Sequence, residues 1–198
     1  TVVGAVAPVT VAAGGDVLAA LDTLRARVLA VVGPHLDARL AYAAATTSRP
    51  PNYEAYRAFA AGLEHFTDGE MPAAMTAFAR AAAADTNWTL PLVHLGIAAS
   101  NARDTIVMAD VVRRLAPRRA TLPPYDQAGF DAVRAWLTGD RLASYAAAVR
   151  IAALAPGGIP SAQVGKEAFD LGRPREAVRV LQALDPTRGQ LRGFMPYW

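Results

Sequence analysis

Residues 62–81 read GLEHFTDGEMPAAMTAFARA, and the spacing of small residues in this stretch decides the fold. Gly62 is followed by Gly69 after seven residues and by Phe78 after sixteen. A residue as small as Gly62 lets a second helix cross the first at close range, because a larger side chain would hold the two backbones apart. Gly69 falls where the first helix ends and a turn needs a residue that tolerates positive φ. The stretch therefore predicts an antiparallel helix pair.

The same landmarks recur along the chain with a period of about 34 or 35 residues. Gly96 lies 34 residues after Gly62, and Gly139 lies 70 residues after Gly69. The full spacing is repeated at Gly165, Gly172, Ala177 and Leu181. Close helix crossings are predicted at Gly62, Gly96, Ala132 and Gly165, and turns with positive φ are predicted at Gly69, Gly139 and Gly172. Repetition at a fixed period predicts a stacked array of hairpins.

The pattern G-x6-G-x4-A-x3-F-x2-A, closed by a turn such as Asp185-Pro186, resembles the tetratricopeptide repeat. The resemblance covers residues 53 to about 190 and implies an all-α fold, a right-handed helical-repeat solenoid of antiparallel helix pairs. The four implied repeats span about residues 53–88, 89–122, 123–157 and 158–190. Together with an aromatic tail, they make up residues 51–198.

A closer resemblance is carried by SRPPNYEAYRAFAAGLEHF, residues 48–66, and by the preceding LAALDTLRARVLAVV, residues 18–32. These segments are similar to repeat regions of large bacterial signalling proteins, in which a kinase or transcriptional-regulator output domain precedes a helical repeat sensor. The resemblance implies that further domains flank this chain. The chain also begins at Thr1, so we expect it to be a piece of a longer protein.

The residues before the array divide into two parts. Residues 1–15 carry five valines up to Gly14-Gly15 and predict a short extended arm, or the remnant of a preceding domain. Residues 16–50 predict an N-terminal helix pair. Its first helix would start after Asp16 and stop at Gly33-Pro34, and its second would run from Pro34 to about Ala45.

The last seven residues, RGFMPYW at 192–198, are aromatic, whereas repeat arrays need a polar cap over the last apolar face. This ending predicts truncation, folding of the tail onto the last helix pair, or a homo-oligomer formed through the C-terminal end.

Several kinds of chemistry are not expected. Without cysteine the chain has no disulfide, thiol nucleophile or zinc–thiolate site. His35, His65 and His94 lack the i, i+4 spacing of a helical metal site, so we predict no metal and no cofactor. Glu64 and Asp68 are one turn apart, but we interpret them as solvated surface and predict that the chain is not an enzyme. Loss of a hydrolytic activity in Glu64→Gln and Asp68→Asn variants would contradict this prediction.

The net charge of +3 comes from nineteen arginines and a single lysine, Lys166, against seventeen acids. The four clustered arginines are Arg113, Arg114, Arg118 and Arg119. Cations near a helix end complement the helix dipole, so we interpret the cluster as a solvated helix end and predict no nucleic-acid partner. No membrane span is predicted either, since charges interrupt every apolar stretch before the roughly 18 residues that a span needs. The cytoplasm is favoured over an extracytoplasmic domain of a membrane protein.

In tetratricopeptide arrays the first helix of each pair lines the concave groove. The resemblance implies that ten residues lie on or near it: Phe59, Leu63, Phe66, Val93, Ile97, Ser100, Val133, Trp136, Lys166 and Phe169. Most are apolar. Either the groove receives an apolar segment of a protein or peptide partner, or a small apolar ligand, or these side chains are covered by the protein's own chain.

The sequence therefore predicts a protein–protein interaction or scaffold and sensory module of a bacterial multidomain signalling protein. Bacterial origin is inferred from the preference for arginine over lysine and from abundant alanine, which are typical of GC-rich coding. The alternative is a small-molecule sensor that binds an apolar ligand in the groove and is coupled to a separate output domain.

Overall fold

A computed structural model describes residues 5–11, 16–36, 52–156 and 158–185 of the 198-residue chain. Within these ranges there are nine α-helices and no β-strand, so the predicted all-α class is confirmed. The helices are α1 (Val17–Leu36), α2 (Tyr53–Thr67), α3 (Met71–Ala84), α4 (Leu90–Asn101), α5 (Thr105–Leu115), α6 (Pro124–Thr138), α7 (Arg141–Leu154), α8 (Ile159–Asp170) and α9 (Pro174–Gln182). A 3-10 helix, Ala116–Thr121, connects α5 to α6.

Each helix packs on the next one along the chain, and α4 also packs on α6. The helices from α2 onward form four hairpins, α2–α3, α4–α5, α6–α7 and α8–α9, which fall within the four implied repeats. No described helix is long and apolar enough to cross a bilayer. The right-handed solenoid arrangement stays a prediction.

The four hairpins share one turn geometry. Gly69, Gly139 and Gly172 have φ of 80°, 72° and 72°, which confirms the three predicted positive-φ turns. The second hairpin uses Arg103, with φ of 58°, at the equivalent place. In every case the turn amide donates to the carbonyl three residues earlier, and the following amide donates to the carbonyl five residues earlier. Because these bonds satisfy carbonyls at the end of the first helix, the chain reverses direction in the same way four times.

The four residues predicted at helix crossings all lie inside helices. A Cβ added to Gly62 would stand 2.6 Å from the ring of Phe78, and one added to Gly165 would stand 2.7 Å from Leu181. These distances are shorter than any ordinary carbon contact, so only glycine fits without movement of its neighbour. In the third hairpin Ala132 is buried as expected. Gly129, on the same helix, closely approaches Val93 on α4 of the second hairpin.

The N-terminal region differs from its prediction at one point. The first helix does not stop at Gly33-Pro34, because α1 continues to Leu36. A proline within a helix removes one hydrogen bond and also clashes with the Cβ of the residue before it. Gly33 has no Cβ, so that clash is absent. The second helix was predicted from Pro34 to about Ala45, but residues 34–36 belong to α1. Residues 37–45 lie outside the described residues, as does the aromatic tail within 186–198.

Residues 5–11 have no regular secondary structure. The guanidinium of Arg27 on α1 donates hydrogen bonds to the carbonyls of Ala7 and Pro8, at 2.9 and 2.8 Å. The N-terminal extended arm otherwise stays a prediction.

Candidate functional site

The ten residues predicted to line the groove lie on the first helices of the four hairpins, at three equivalent positions. Counted back from the positive-φ turn residue, they lie three residues before it at Phe66, Ser100, Trp136 and Phe169, six before it at Leu63, Ile97, Val133 and Lys166, and ten before it at Phe59 and Val93. We call these ten positions the first-helix face. Its members differ widely in exposure.

Four members of the first-helix face pack inside the chain: Phe59, Leu63, Val93 and Val133. The two valines join α4 to α6 by a reciprocal exchange. Val133 fills the space left by Gly96, and Val93 fills the space left by Gly129, where an added Cβ would stand 2.3 Å from the valine Cγ1. These side chains therefore hold two first helices together.

The remaining members become more accessible toward the C-terminal hairpin. Phe66, Ile97 and Trp136 are half-buried and pack against the core, and Ser100 is also half-buried. Phe169 is 67% exposed. Beside it, the exposed Nζ of Lys166 is 2.8 Å from a carboxylate oxygen of Asp170, so this lysine is paired within its own helix. The first-helix face thus ends in an exposed aromatic ring next to a neutralised charge pair.

Trp136 is held by a buried carboxylate that the sequence analysis missed. Glu167, 3% exposed, accepts hydrogen bonds from Trp136 Nε1 at 2.9 Å and from Gln163 Nε2 at 2.7 Å. Its other oxygen accepts a hydrogen bond from the hydroxyl of Ser144. Donors on α6, α7 and α8 therefore meet at one side chain. A glutamate two residues before Phe169 looks like surface in the sequence, because nothing there shows that three donors converge on it.

We expect Glu167→Ala to lower the free energy of unfolding by about 3 kcal/mol, because it leaves three donors without their charged acceptor. Chemical denaturation followed by circular dichroism measures this change. Asp68→Ala at the exposed C-terminal end of α2 is the control and should change stability by less than about 0.5 kcal/mol. Equal effects of the two substitutions would contradict the role assigned to Glu167.

An aromatic cluster fills the junction between the first two hairpins. The ring centroid of Phe59 lies 5.4 Å from that of Phe78, 4.8 Å from that of Trp88 and 5.0 Å from that of His94. Burial lowers the pKa of His94 to about 4, although its hydrogen bond to the Leu90 carbonyl acts in the opposite direction. This histidine is therefore neutral near pH 7 and belongs to the core.

Of the other two histidines, the structure describes the side chain of one. His65 is partly exposed, and its Nδ1 lies 2.7 Å from a carboxylate oxygen of Glu70. The side chain of His35 lies outside the description. Among the described residues, no three histidines, aspartates or glutamates are grouped so that they could hold a metal ion. The two acids considered for acid–base chemistry, Glu64 and Asp68, are both exposed.

A second buried carboxylate, Asp126, lies in the first turn of α6. It is fully buried and accepts a hydrogen bond from the hydroxyl of Thr89, the residue before α4. Its Oδ1 has no hydrogen-bond partner, and neither does the buried Nε1 of Trp88. Burial raises the pKa of Asp126 to about 6, while the Thr89 hydrogen bond acts to lower it. This carboxyl is therefore poorly solvated, and folding favours its protonated form.

The clustered arginines are engaged within the chain. Arg113 and Arg114 pair with Asp110, and Arg118 donates to the carbonyl of Thr86 at 3.1 Å. Their contacts are those of a helix C-terminal turn and its neighbouring loop.

The fourth member of the cluster, Arg119, contributes to a charge network between helices. Its Nε and Nη2 donate to the two oxygens of Asp131 at 2.8 and 2.7 Å, and Arg150 on α7 donates to the same carboxylate at 2.9 Å. Burial alone would raise the pKa of Asp131, but the hydrogen bonds and charges of the two arginines outweigh it and lower that pKa. The network therefore stabilises the ionised aspartate and ties the 3-10 helix to α6 and α7.

The described residues thus contain one exposed aromatic on the first-helix face, Phe169, while their buried polar groups serve helix packing. Comparison of the chain with protein-family models, with curated proteins and with solved structures found no match.

Proposed function

We propose that the chain is a protein- or peptide-binding scaffold of the tetratricopeptide type, which belongs to a bacterial multidomain signalling protein and acts by binding rather than catalysis. Its four hairpins stack as a right-handed solenoid. The partner docks on the first-helix face, with Phe169 as the main anchor.

The repeated hairpin geometry supports this proposal. The four hairpins share one turn geometry, and α4 packs on α6. In the proposed solenoid, equivalent positions of α2, α4, α6 and α8 would form one row. Helical arrays use such rows as extended binding surfaces. Val93 and Val133 are buried where α4 packs on α6. A partner would therefore contact the residues of the first-helix face that keep exposed surface.

The exposure of Phe169 is the observation that carries the proposal. Its counterparts Phe66 and Trp136 are half-buried, whereas Phe169 leaves two thirds of its surface in water. Aromatic side chains that lose this surface to a partner dominate binding energies in many interfaces. The adjacent Lys166 is already paired with Asp170, so the surface around the ring favours an apolar partner segment over a strongly charged one.

A display selection with random peptides tests this function directly. We expect enrichment of peptides with apolar anchors, and we expect Phe169→Asp to weaken their binding at least about thirtyfold, the equivalent of about 2 kcal/mol for an interface anchor. Ile106→Asp is the matched control: Ile106 is 83% exposed but lies on a second helix, α5, so peptide affinity should not change.

Two results would contradict the proposal. One is a selection that enriches no peptide, and the other is peptide binding that is insensitive to Phe169→Asp. A large melting shift with one small apolar metabolite, in a chain that captures no peptide, would instead favour the sensor alternative.

A further inference from the structure

The first helix carries a row of apolar side chains that the described part of the chain leaves accessible. Val17 is 59% exposed, Leu21 54%, Leu24 38% and Val28 40%, and the half-buried Val31 continues the row. Successive members are four, three, four and three residues apart. This alternation is that of a coiled-coil seam, and Leu18, which is 74% exposed, flanks it. We call it the α1 seam.

The α1 seam differs from the other exposed apolar residues of the protein. Ile106 is exposed singly near the start of α5, and Leu142 on α7 is accompanied seven residues later by Val149, 40% exposed. Scattered exposures of this kind are common. The seam instead places four exposed side chains on one side of a 20-residue helix. A helix is the structure that fits such a seam, because each side chain then inserts between four residues of the facing helix.

We propose that the α1 seam pairs two copies of the chain in a parallel two-stranded coiled coil. In this alignment Arg25 of one copy faces Ala20 of the other, and Arg27 faces Val32, so no like charges meet across the pair. An antiparallel pair aligned on Leu24 would instead bring the two copies of Arg25 side by side. Charge therefore favours the parallel arrangement. This interface lies at the opposite end of the chain from the oligomer contact predicted for the C-terminal tail.

The oligomeric state of the full chain tests the pairing. Light scattering after size exclusion should give twice the monomer mass of 20.8 kDa. Leu21→Asp and Leu24→Asp should each restore the monomer mass while leaving the helical circular dichroism unchanged. Ile106→Asp replaces a more exposed residue outside the seam, and this control should remain dimeric.

Introduced cysteines test the orientation, since the natural chain has none. Val17→Cys lies at one end of the helix and should form a disulfide with its copy only in a parallel pair. Leu24→Cys, at the centre of the seam, should also cross-link upon mild oxidation. Leu142→Cys, on exposed α7 surface, is the control and should stay reduced under the same conditions.

Each contrary outcome overturns the inference in a distinct way. A monomeric wild-type chain excludes the pairing, and if Leu24→Asp then lowers its stability, the seam is covered by the protein's own chain. A dimer that survives Leu24→Asp uses another surface. Cross-linking at Leu24→Cys without cross-linking at Val17→Cys shows an antiparallel pair. None of these results depends on Phe169, so they are distinguishable from failure of the proposed peptide binding.

Discussion

Gly129→Ala is expected to lower the free energy of unfolding by about 3 kcal/mol, the upper part of the range for overpacked cores. The new Cβ would stand 2.3 Å from Cγ1 of Val93, whose side chain is fully buried. A β-branched side chain in a helix strongly prefers one rotamer, so it yields little. The roughly 1 kcal/mol that alanine gains over glycine in a helix is too small to offset this clash. Thermal unfolding should show a melting temperature lower by about 6–12 °C for a chain of this size.

Gly165→Ala is the matched control for this experiment. Its Cβ would also meet a neighbour, at 2.7 Å from both Cγ and Cδ2 of Leu181. That side chain is half-buried on α9, so it can move aside more easily than the fully buried Val93. The melting temperature of this variant should change by only a few degrees. If both glycines tolerated alanine equally, the crossing of α4 and α6 would not be as close as the structure shows.

The contribution of Asp126 to stability is expected to decrease by about 2 kcal/mol as the pH rises from 4 to 7.5. Its pKa is about 6 in the folded protein against 3.8 for the unperturbed group, and this difference corresponds to about 3 kcal/mol. Since folding raises the pKa, the stabilisation is fully present below pH 3.8 and is lost as the pH rises through about 6. Denaturation of wild type and Asp126→Asn across this range measures the change, and the variant should gain about 2 kcal/mol relative to wild type.

Asp131→Asn supplies a control of opposite sign. The pKa of Asp131 is lowered by Arg119 and Arg150, so its stabilisation is present above pH 3.8 and is lost as the pH falls through the folded-state pKa. This substitution should therefore cost more at pH 7 than at pH 3. A stability difference between wild type and Asp126→Asn that does not vary with pH would show that Asp126 is better solvated than its position indicates.

Backbone landmarks could be predicted from the sequence where a single residue type satisfies the geometry. Gly69, Gly139 and Gly172 were predicted at turns because positive φ favours glycine, and the structure confirms them. The fourth turn was missed because Arg103 adopts the same conformation without that signal. The end predicted for the first helix at Gly33-Pro34 was wrong, because the local rule for proline does not apply fully after a glycine.

Site residues were less predictable, because helical periodicity identifies a face and not what covers it. Val93 and Val133 have the right spacing for a groove, but whether they reach solvent depends on Gly129 and Gly96 of a neighbouring helix. Glu167 and Asp126 look like surface acids in a linear sequence. Their burial follows from helices that meet only after the chain has folded, so neither composition nor spacing could reveal it.

The reciprocal fit of the two valines into the two glycine notches has a mechanical consequence. Sliding α4 along α6 would require Val93 and Val133 to leave the spaces beside Gly129 and Gly96 at the same time. The second and third hairpins should therefore respond to force as a single stiff block. The third and fourth hairpins are joined in addition through hydrogen bonds to one carboxylate, that of Glu167. A load that pulls on the ends of the array should therefore bend it on either side of this block, leaving the block itself undeformed.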